Sequence, residues 1–451
     1  MMLKFSNATL RWLENLLQER FGHGFSLTQK TNVLLLTLPS IEGSISFDRL
    51  QYIFHRSRSD FPCQHWQASL EGYKAPIEDI VPAPSEHKLP SPLIEINENN
   101  ALIHYDILGL TYWMLTRLEE VGVSRKDLDS HQRFPATLSH AYKHGYLERP
   151  IVDEWLIILG QVILSVWPQL KLKRHKFSIK VSHDVDRPSR YGFRPLMPLI
   201  RAMAGDVLKY RNVKGALIAP WIRLNTRHTL HSADPFNTFD WLMDEAEANN
   251  LQSAFYFICG CTHPMKDADY KPEHPAIRNL IRRIHERGHE VGLHPSYNTF
   301  QKSELIKQEA DLLKQICADE GIEQNAWGGR MHYLRWEQPT TLRAWASAGM
   351  SYDSTLGYAD RPGFRCGTCH EYTAFDPVAQ ESLSLRVRPL IAMEGTILSP
   401  QYLGLVSGEA FEKFESLKEC CQKVEGQFVL LWHNSEFLFE ENRNTYSELL
   451  K

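Results

Sequence analysis

From residue 177 onward, short apolar runs alternate with stretches of helical periodicity, and this alternation limits the fold more than any other feature of the chain. The runs are FSIKVS, SAFYFI (253 to 258), EVGLH (290 to 294), MSYDS (350 to 354), LRVRPLI (385 to 391) and FVLLWH (428 to 433). They have strand length and composition. Between them, Ile277, Leu280, Ile281 and Ile284 recur at i, i+3, i+4, i+7, and Gly288 stands where a C-terminal cap belongs. A second helix is expected from about Ser303 to Asp319, and a third, carrying Leu342 and Trp345, stops at Gly349. Strands that alternate with helices pair in parallel. The expected fold class is α/β: a distorted parallel (β/α)7-type barrel with a smaller N-terminal α/β domain.

At 451 residues the chain exceeds one ordinary core. The expected division is an N-terminal domain over 1–170 and a barrel over 171–451, joined by the basic connector KLKRHK. Within the first part, VPAPSEHKLPSP (81–92) reads as a long surface loop, and 100–168 reads as mostly helical. Within the second, a basic amphipathic insertion at about 188–235 contains LMPLIRAMAGDVLKYR and PWIRLNTRH. It reads as a helical cover on the barrel, with a membrane-surface or partner contact as the other reading.

A formal charge of −4 argues against the net basic face of a nucleic-acid binder. No apolar run approaches the ~18 residues of a transmembrane segment. The first residues, MMLKFSNATLRWLENLLQERFG, have the charge pattern of an amphipathic helix and not of a signal peptide, so a cytoplasmic location is expected. The eight cysteines are then reduced. Only Cys366 and Cys369, in CGTC, have motif spacing. Cys259 and Cys261, spaced C-x-C with His263 beyond, are the nearest partners for a four-ligand zinc cluster; packed apolar thiols are the main expectation, with that cluster and a redox role for Cys366 and Cys369 as rivals.

The strand-like run FSIKVS leads into VSHDVDRP (181–188), where Asp184 and Asp186 point the same way because strand side chains alternate. Two neighbouring carboxylates need a compensating charge. In parallel α/β folds functional groups gather at the carboxyl ends of strands. Asp184, Asp186, His294 and His433 all occupy such ends. Pro295 suits the first position of a helix, so His294 and Asn298 are expected at i and i+4 on one face. With Asp186 they form an O/N/O set for a divalent cation with positions left open to water.

Asp-x-Asp after a first strand, GHE-x-G-x-H in mid-domain, an arginine-containing loop GGRMHYLRW and a final L-x-H together resemble the polysaccharide deacetylases (NodB-homology, carbohydrate esterase family 4-like) over about residues 175 to 440. TYWMLTRLEE, HQRFPA and YLERPIVDEW resemble an uncharacterised domain that accompanies a cell-surface-polysaccharide branch of that group. The resemblance implies Asp184 as catalytic base, Asp186 and His294 as metal ligands, Arg330 orienting the base, and His433 protonating the leaving group. It also implies that Asn298 replaces a usual metal histidine. That departure implies a weaker or different metal, recruitment of another ligand such as His332, or lost catalysis.

Asp353, in YDST, is the candidate carboxylate for holding His433 protonated. Residues 352–369 are read as a loop over the cleft, with Arg365 and aromatic faces against sugars, and Tyr333, Glu394 and Thr396 near the same mouth. The expected function is metal-dependent removal of an acyl group, N-acetyl first, from an amino sugar. The expected cofactor is zinc or another transition metal. The resemblance implies a nucleotide-sugar or lipid-linked precursor in surface-polysaccharide (lipopolysaccharide) synthesis as substrate. The alternative is a catalytically inactive carbohydrate-binding protein of the same fold.

Overall fold

A computed structural model of the chain describes residues 5–208 and 211–451. The first four residues of the N-terminal amphipathic stretch, and Lys209 and Tyr210 of the insertion, lie outside the described residues. Helix α1 (Asn7–Phe21) begins where the Ser6 hydroxyl accepts from Thr9 N–H and ends at Gly22, whose φ of +80° suits a residue without Cβ. Its buried face carries Trp12, Leu13, Leu16 and Leu17.

Seven strands follow: β1 (Ser26–Lys30), β2 (Val33–Leu38), β3 (Ile41–Phe47), β4 (Cys63–Gln67), β5 (Ile80–Pro84), β6 (Ile94–Asn97) and β7 (Asn100–Ile103). Five form a sheet of order β1-β2-β3-β7-β6, while β4 and β5 pair with each other. The segment expected as a surface loop at 81–92 is corrected at its start, because Val81 to Ser85 are buried in and just after β5. Pro82 and Pro84 suit this two-stranded ribbon, since a strand edge makes no demand on their missing N–H. The mostly helical reading of 100–168 is also corrected. It holds for α2 (Ile107–Leu115), the single turn α3 (His140–Lys143) and α4 (Ile151–Val166), but β7 and irregular turns fill the rest.

The second large sheet contains β8 (Ser178–Val185), β9 (Ser253–Phe257), β10 (Glu290–Leu293), β11 (Gly328–Gly329), β12 (Tyr352–Asp353), β13 (Tyr372–Asp376), β14 (Glu381–Val387), β15 (Ala392–Met393) and β16 (Gln427–Leu431). Its order is β13-β14-β12-β11-β10-β9-β8-β16-β15, and every pairing is parallel except β13 with β14. Backbone bonds continue past β14: Arg388 and Leu390 donate to Asp353 and Leu356, then Ile391 donates to Val429. Residues 381–393 thus bond to the β12 strand first and to β16 last.

Helices α5 (Leu196–Leu208), α6 (Val213–Asn225) and α7 (Phe239–Ala248) separate β8 from β9. Next come α8 (Pro275–Glu286), α9 (Ser303–Asp319), α10 (Thr340–Ser347), α11 (Glu394–Leu398), α12 (Ser407–Lys423) and α13 (Glu440–Leu449). Helix α8 buries Ile277, Leu280, Ile281 and Ile284, as its period demands. No helix among the described residues is long and apolar enough to cross a membrane.

One apolar cluster runs through both large sheets, from Trp12 and Trp155 to Trp345 and Trp432. A buried ion network likewise links residues 117–120 to Tyr358 and Arg365. Arg117 bonds Glu119, Glu120 and Tyr358, and Arg365 is bidentate to Glu120. This corrects the expectation for Arg365 and its loop: the guanidinium is a buried structural cation and offers no face to a sugar.

Candidate active site

Five of the expected residues, Asp184, Asp186, His294, Arg330 and His433, meet at the carboxyl ends of strands of the nine-stranded sheet. Asp184, in the last turn of the β8 ladder, accepts at Oδ1 from Arg330 Nη1 at 2.8 Å. Arg330 follows β11 and is fully buried. Its Nε donates to the Ser354 carbonyl at 2.9 Å, and Nη2 donates to the Ser182 and Ser354 hydroxyls. The other carboxylate oxygen of Asp184 lies 3.8 Å from His294 Nε2.

His294 follows β10 and donates from Nδ1 to the Arg330 carbonyl at 2.7 Å, which leaves a lone pair on Nε2. That Nε2 is 3.3 Å from Asp186 Oδ1, and His332 Nε2 is 3.4 Å from the same oxygen. The ring of His332 is held at Nδ1 by Asp267, 3.2 Å away. Asp186, His294 and His332 bring one ligand atom each within 4.8 Å of one another. Asp186 Oδ1 and His294 Nε2 are buried without a hydrogen-bond partner. A carboxylate and two imidazoles that converge on one point, with the Asp186 and His294 ligand atoms orphaned, fit a divalent transition ion.

Burial opposes charge on Asp186, but His332 and His294 outweigh it and hold the carboxyl well below the usual carboxylate range. Burial likewise opposes charge on His332, yet Asp186 and Asp267 push its imidazole up to about 9. The site is therefore organised around positive charge at this spot.

The expected place of Asn298 is corrected. Residues 294–298 are not helical, since α9 starts only at Ser303, so the i, i+4 argument does not apply. The Asn298 amide is engaged at both ends: Nδ2 donates to the Thr262 carbonyl at 3.0 Å, and Oδ1 accepts from Arg335 at 3.2 Å. His332 meets Asp186 in its stead.

His433 follows β16. Its Nδ1 is 2.5 Å from Glu394 Oε1, and its Nε2 is 3.9 Å from Asp186 Oδ2. Burial opposes its charge, but Glu394 and the two aspartates push the imidazole up to about 10. The expected helper, Asp353, is corrected to Glu394: Asp353 Oδ1 instead accepts from the backbone N–H and hydroxyl of Thr355. Thr396 is buried and bonds the Ala359 carbonyl.

Asp184, Asp186, His294, His332 and His433 line a cavity of about 170 Å³ with Arg133, Tyr333, Leu334, Met393 and Tyr402. Tyr333 and Leu334 both have positive φ, 62° and 55°, a strained pair at the mouth. Arg133 spans the opening, donating to the Tyr333 carbonyl at 2.9 Å and to the Tyr402 hydroxyl at 3.1 Å while bound to Asp129. His131 lies against Tyr333 with ring centroids 4.8 Å apart. The sequence reading did not assign Arg133, Asp267 or Tyr402. HQRFPA carried only a resemblance, and nothing in residue spacing pairs position 133 with position 333.

A second convergence, Asp153 with Cys369 and His370, is already compensated. Asp153 accepts from Arg20 at 2.7 Å, and also from Thr368 and the Cys369 backbone. Burial pushes the Cys366 and Cys369 thiols up, which disfavours the thiolate that redox chemistry needs.

A family of unknown function, DUF7033, matches residues 4–168. No curated protein matches the chain. Among solved structures, a Mycobacterium smegmatis protein described as a polysaccharide deacetylase is 14% identical, with a TM-score of 0.38, over 62% of this chain and 84% of that one. A Pseudomonas aeruginosa PAO1 protein of the same description is 15% identical, with a TM-score of 0.36, over 61% and 84%. Puue allantoinase is 11% identical, with a TM-score of 0.35, over 61% and 83%. Likeness of this degree carries no functional argument.

Proposed function

We propose that the chain is a divalent-metal-dependent hydrolase that removes an acyl group, N-acetyl first, from an amino sugar. The observation that carries this reading is the convergence of Asp186, His294 and His332, two of them with orphaned ligand atoms, beside the Asp184–Arg330 pair and the Glu394–His433 pair. In this reading residues 1–170 and 171–451 are two units. The segment 381–393 closes a seven-membered ring of β8, β9, β10, β11, β12, β14–β15 and β16, supported by its bonds to β12 and β16.

Asp186, His294 and His332 would hold the ion, and a bound ion supplies a Lewis acid that polarises an acyl carbonyl and acidifies water. Asp184 is fixed through Oδ1 by Arg330, so its second oxygen is the one that takes the proton from the attacking water. His433, held protonated at Nδ1 by Glu394, presents Nε2–H to the cavity and gives that proton to the departing amine. Leu334, Met393 and Leu431 supply an apolar wall that suits an acetyl methyl. A nucleotide-sugar or lipid-linked precursor of a surface polysaccharide is the substrate class in this reading.

The alternative, a carbohydrate-binding protein without activity, rests on Asn298; the approach of His332 Nε2 to within 3.4 Å of Asp186 supports the catalytic reading instead. Metal analysis of the purified chain, with acetate release from N-acetylated amino sugars in the presence of zinc, cobalt or manganese, tests the proposal. One bound ion and acetate release that Asp184→Asn abolishes are expected. No bound ion and no acetate with any metal would leave the binding protein as the better reading.

A further inference from the structure

The insertion after Asp186 folds as a hairpin of α5 and α6 with its own small core. Tyr191, Leu199, Ala219 and Ile222 are buried together, separate from the main apolar cluster. The outer faces are also apolar, yet bare. On α5, Leu196 and Leu208 are 64% and 83% exposed, with Met197, Ile200 and Val207 beside them. These five positions fall within an arc of roughly 120° at 3.6 residues per turn. On α6, Leu217 and Trp221 are 76% and 60% exposed, with Val213 and Leu224 on the same side. Exposed large apolar side chains gathered on one element mark a contact surface.

Charge identifies what that surface meets. Over residues 194–227 the sequence carries Arg194, Arg201, Lys209, Arg211, Lys214, Arg223 and Arg227 against one acid, Asp206. Asp206 is buried and consumed by Arg190 and the Tyr191 hydroxyl. Arg201, Arg211, Lys214 and Arg223 are exposed. A second copy of the chain seated on this face would set two cationic hairpins against each other, which like-charge repulsion disfavours. An anionic lipid surface instead offers acyl chains to the leucines, phosphates to the cations, and an interface that suits a tryptophan with one polar atom. We infer that the α5–α6 hairpin docks this protein onto anionic membrane surfaces, lying in the interface without spanning it.

Co-sedimentation of the full chain tests this with vesicles of phosphatidylcholine alone and vesicles containing about 30 mol % phosphatidylglycerol. Binding to the anionic vesicles, little to the neutral ones, and weakening by salt are expected. The double variant Leu217→Glu, Trp221→Glu should lower partitioning roughly tenfold or more. Lys214→Glu with Arg223→Glu should lower it too, and both should keep wild-type circular dichroism. Equal binding to neutral vesicles, no binding to either, or binding untouched by both variants would overturn the inference. So would a wild-type dimer in gel filtration that Trp221→Glu dissociates, in favour of a second copy.

Discussion

Arg330 and Asp184 meet at 2.8 Å through Nη1 and Oδ1, with the guanidinium wholly out of solvent and three further hydrogen bonds running to Ser182 and Ser354. The pair couples stability to chemistry. Replacing Arg330 by Ala leaves the Asp184 charge buried without its cation, which costs about 3–5 kcal/mol. Asp184→Asn retains an acceptor for Arg330 but cannot take a proton. It should leave the melting temperature close to wild type and lower kcat by roughly 10²–10⁴-fold. Thermal denaturation and acetate release check both. An Arg330→Ala protein as stable as wild type would contradict the account.

His332 and Asn298 separate two readings of the third ligand. His332→Ala should reduce metal affinity by at least roughly tenfold, because a ligand is lost outright. Asn298→Ala should leave bound metal unchanged, because its amide serves Thr262 and Arg335. Elemental analysis after dialysis against graded chelator decides between them. Metal retained in His332→Ala and lost in Asn298→Ala would restore the expectation drawn from spacing.

Much of the α/β organisation was legible because period and composition act locally: the buried stripe of α8 and the apolar runs of β8, β9 and β16 are where the sequence places them. Asp184, Asp186, His294 and His433 were legible as one group because each stands at the carboxyl end of a strand, whereas Arg330 entered only through the resemblance. What failed depended on the path of irregular chain. Pro295 signals a helix start, yet residues 294–298 stay extended or turned because Asp267, Thr262 and Glu309 capture their backbone N–H groups. Asp353 is near the other groups in sequence logic, but Thr355, two residues on, satisfies it locally. Glu394 and Arg133 reach the site through contacts 39 and 200 residues apart in sequence. No periodicity encodes such pairs.

The proton on His433 depends on Glu394. Burial opposes that proton, and Glu394 with the two aspartates outweighs it, raising the imidazole to about 10. A raised histidine is charged below this value and loses its proton as pH rises through it. Glu394→Gln removes the largest favourable charge, so the alkaline limb of the kcat/KM profile should move to lower pH. At pH 8, kcat should fall by about tenfold or more. A profile that keeps its shape in Glu394→Gln would show that His433 is not the acid.

Arg365 belongs to the fold and not to the substrate. Its bidentate bond to Glu120 completes a buried set in which Arg117 alone would face Glu119 and Glu120. Arg365→Ala should therefore lower unfolding free energy by about 3–5 kcal/mol. At temperatures where the variant stays folded, KM for an amino-sugar substrate should equal that of wild type. Urea midpoints and initial rates measure the two effects separately, and a raised KM with unchanged stability would return Arg365 to the cleft.

Glu309 gives a stability test with a definite sign. Burial pushes its carboxyl up to about 7, and bonds from the Ser296 N–H and hydroxyl offset only part of that. A carboxyl raised in the folded state stabilises the protein fully below its unfolded value of 4.5, and that contribution is lost as pH rises through 7. Glu309→Gln is neutral at every pH. Its carbonyl can accept from Ser296 N–H while its amide donates to the Ser296 hydroxyl, which already accepts from Thr262. Relative to wild type, the variant should gain stability between pH 5 and 8, by up to roughly 3 kcal/mol at 1.36 kcal/mol per pH unit of displacement. Urea unfolding of both proteins at the two pH values measures the difference, and a gap that stays constant or narrows with pH would mean that Glu309 is ionised in the folded chain at pH 5.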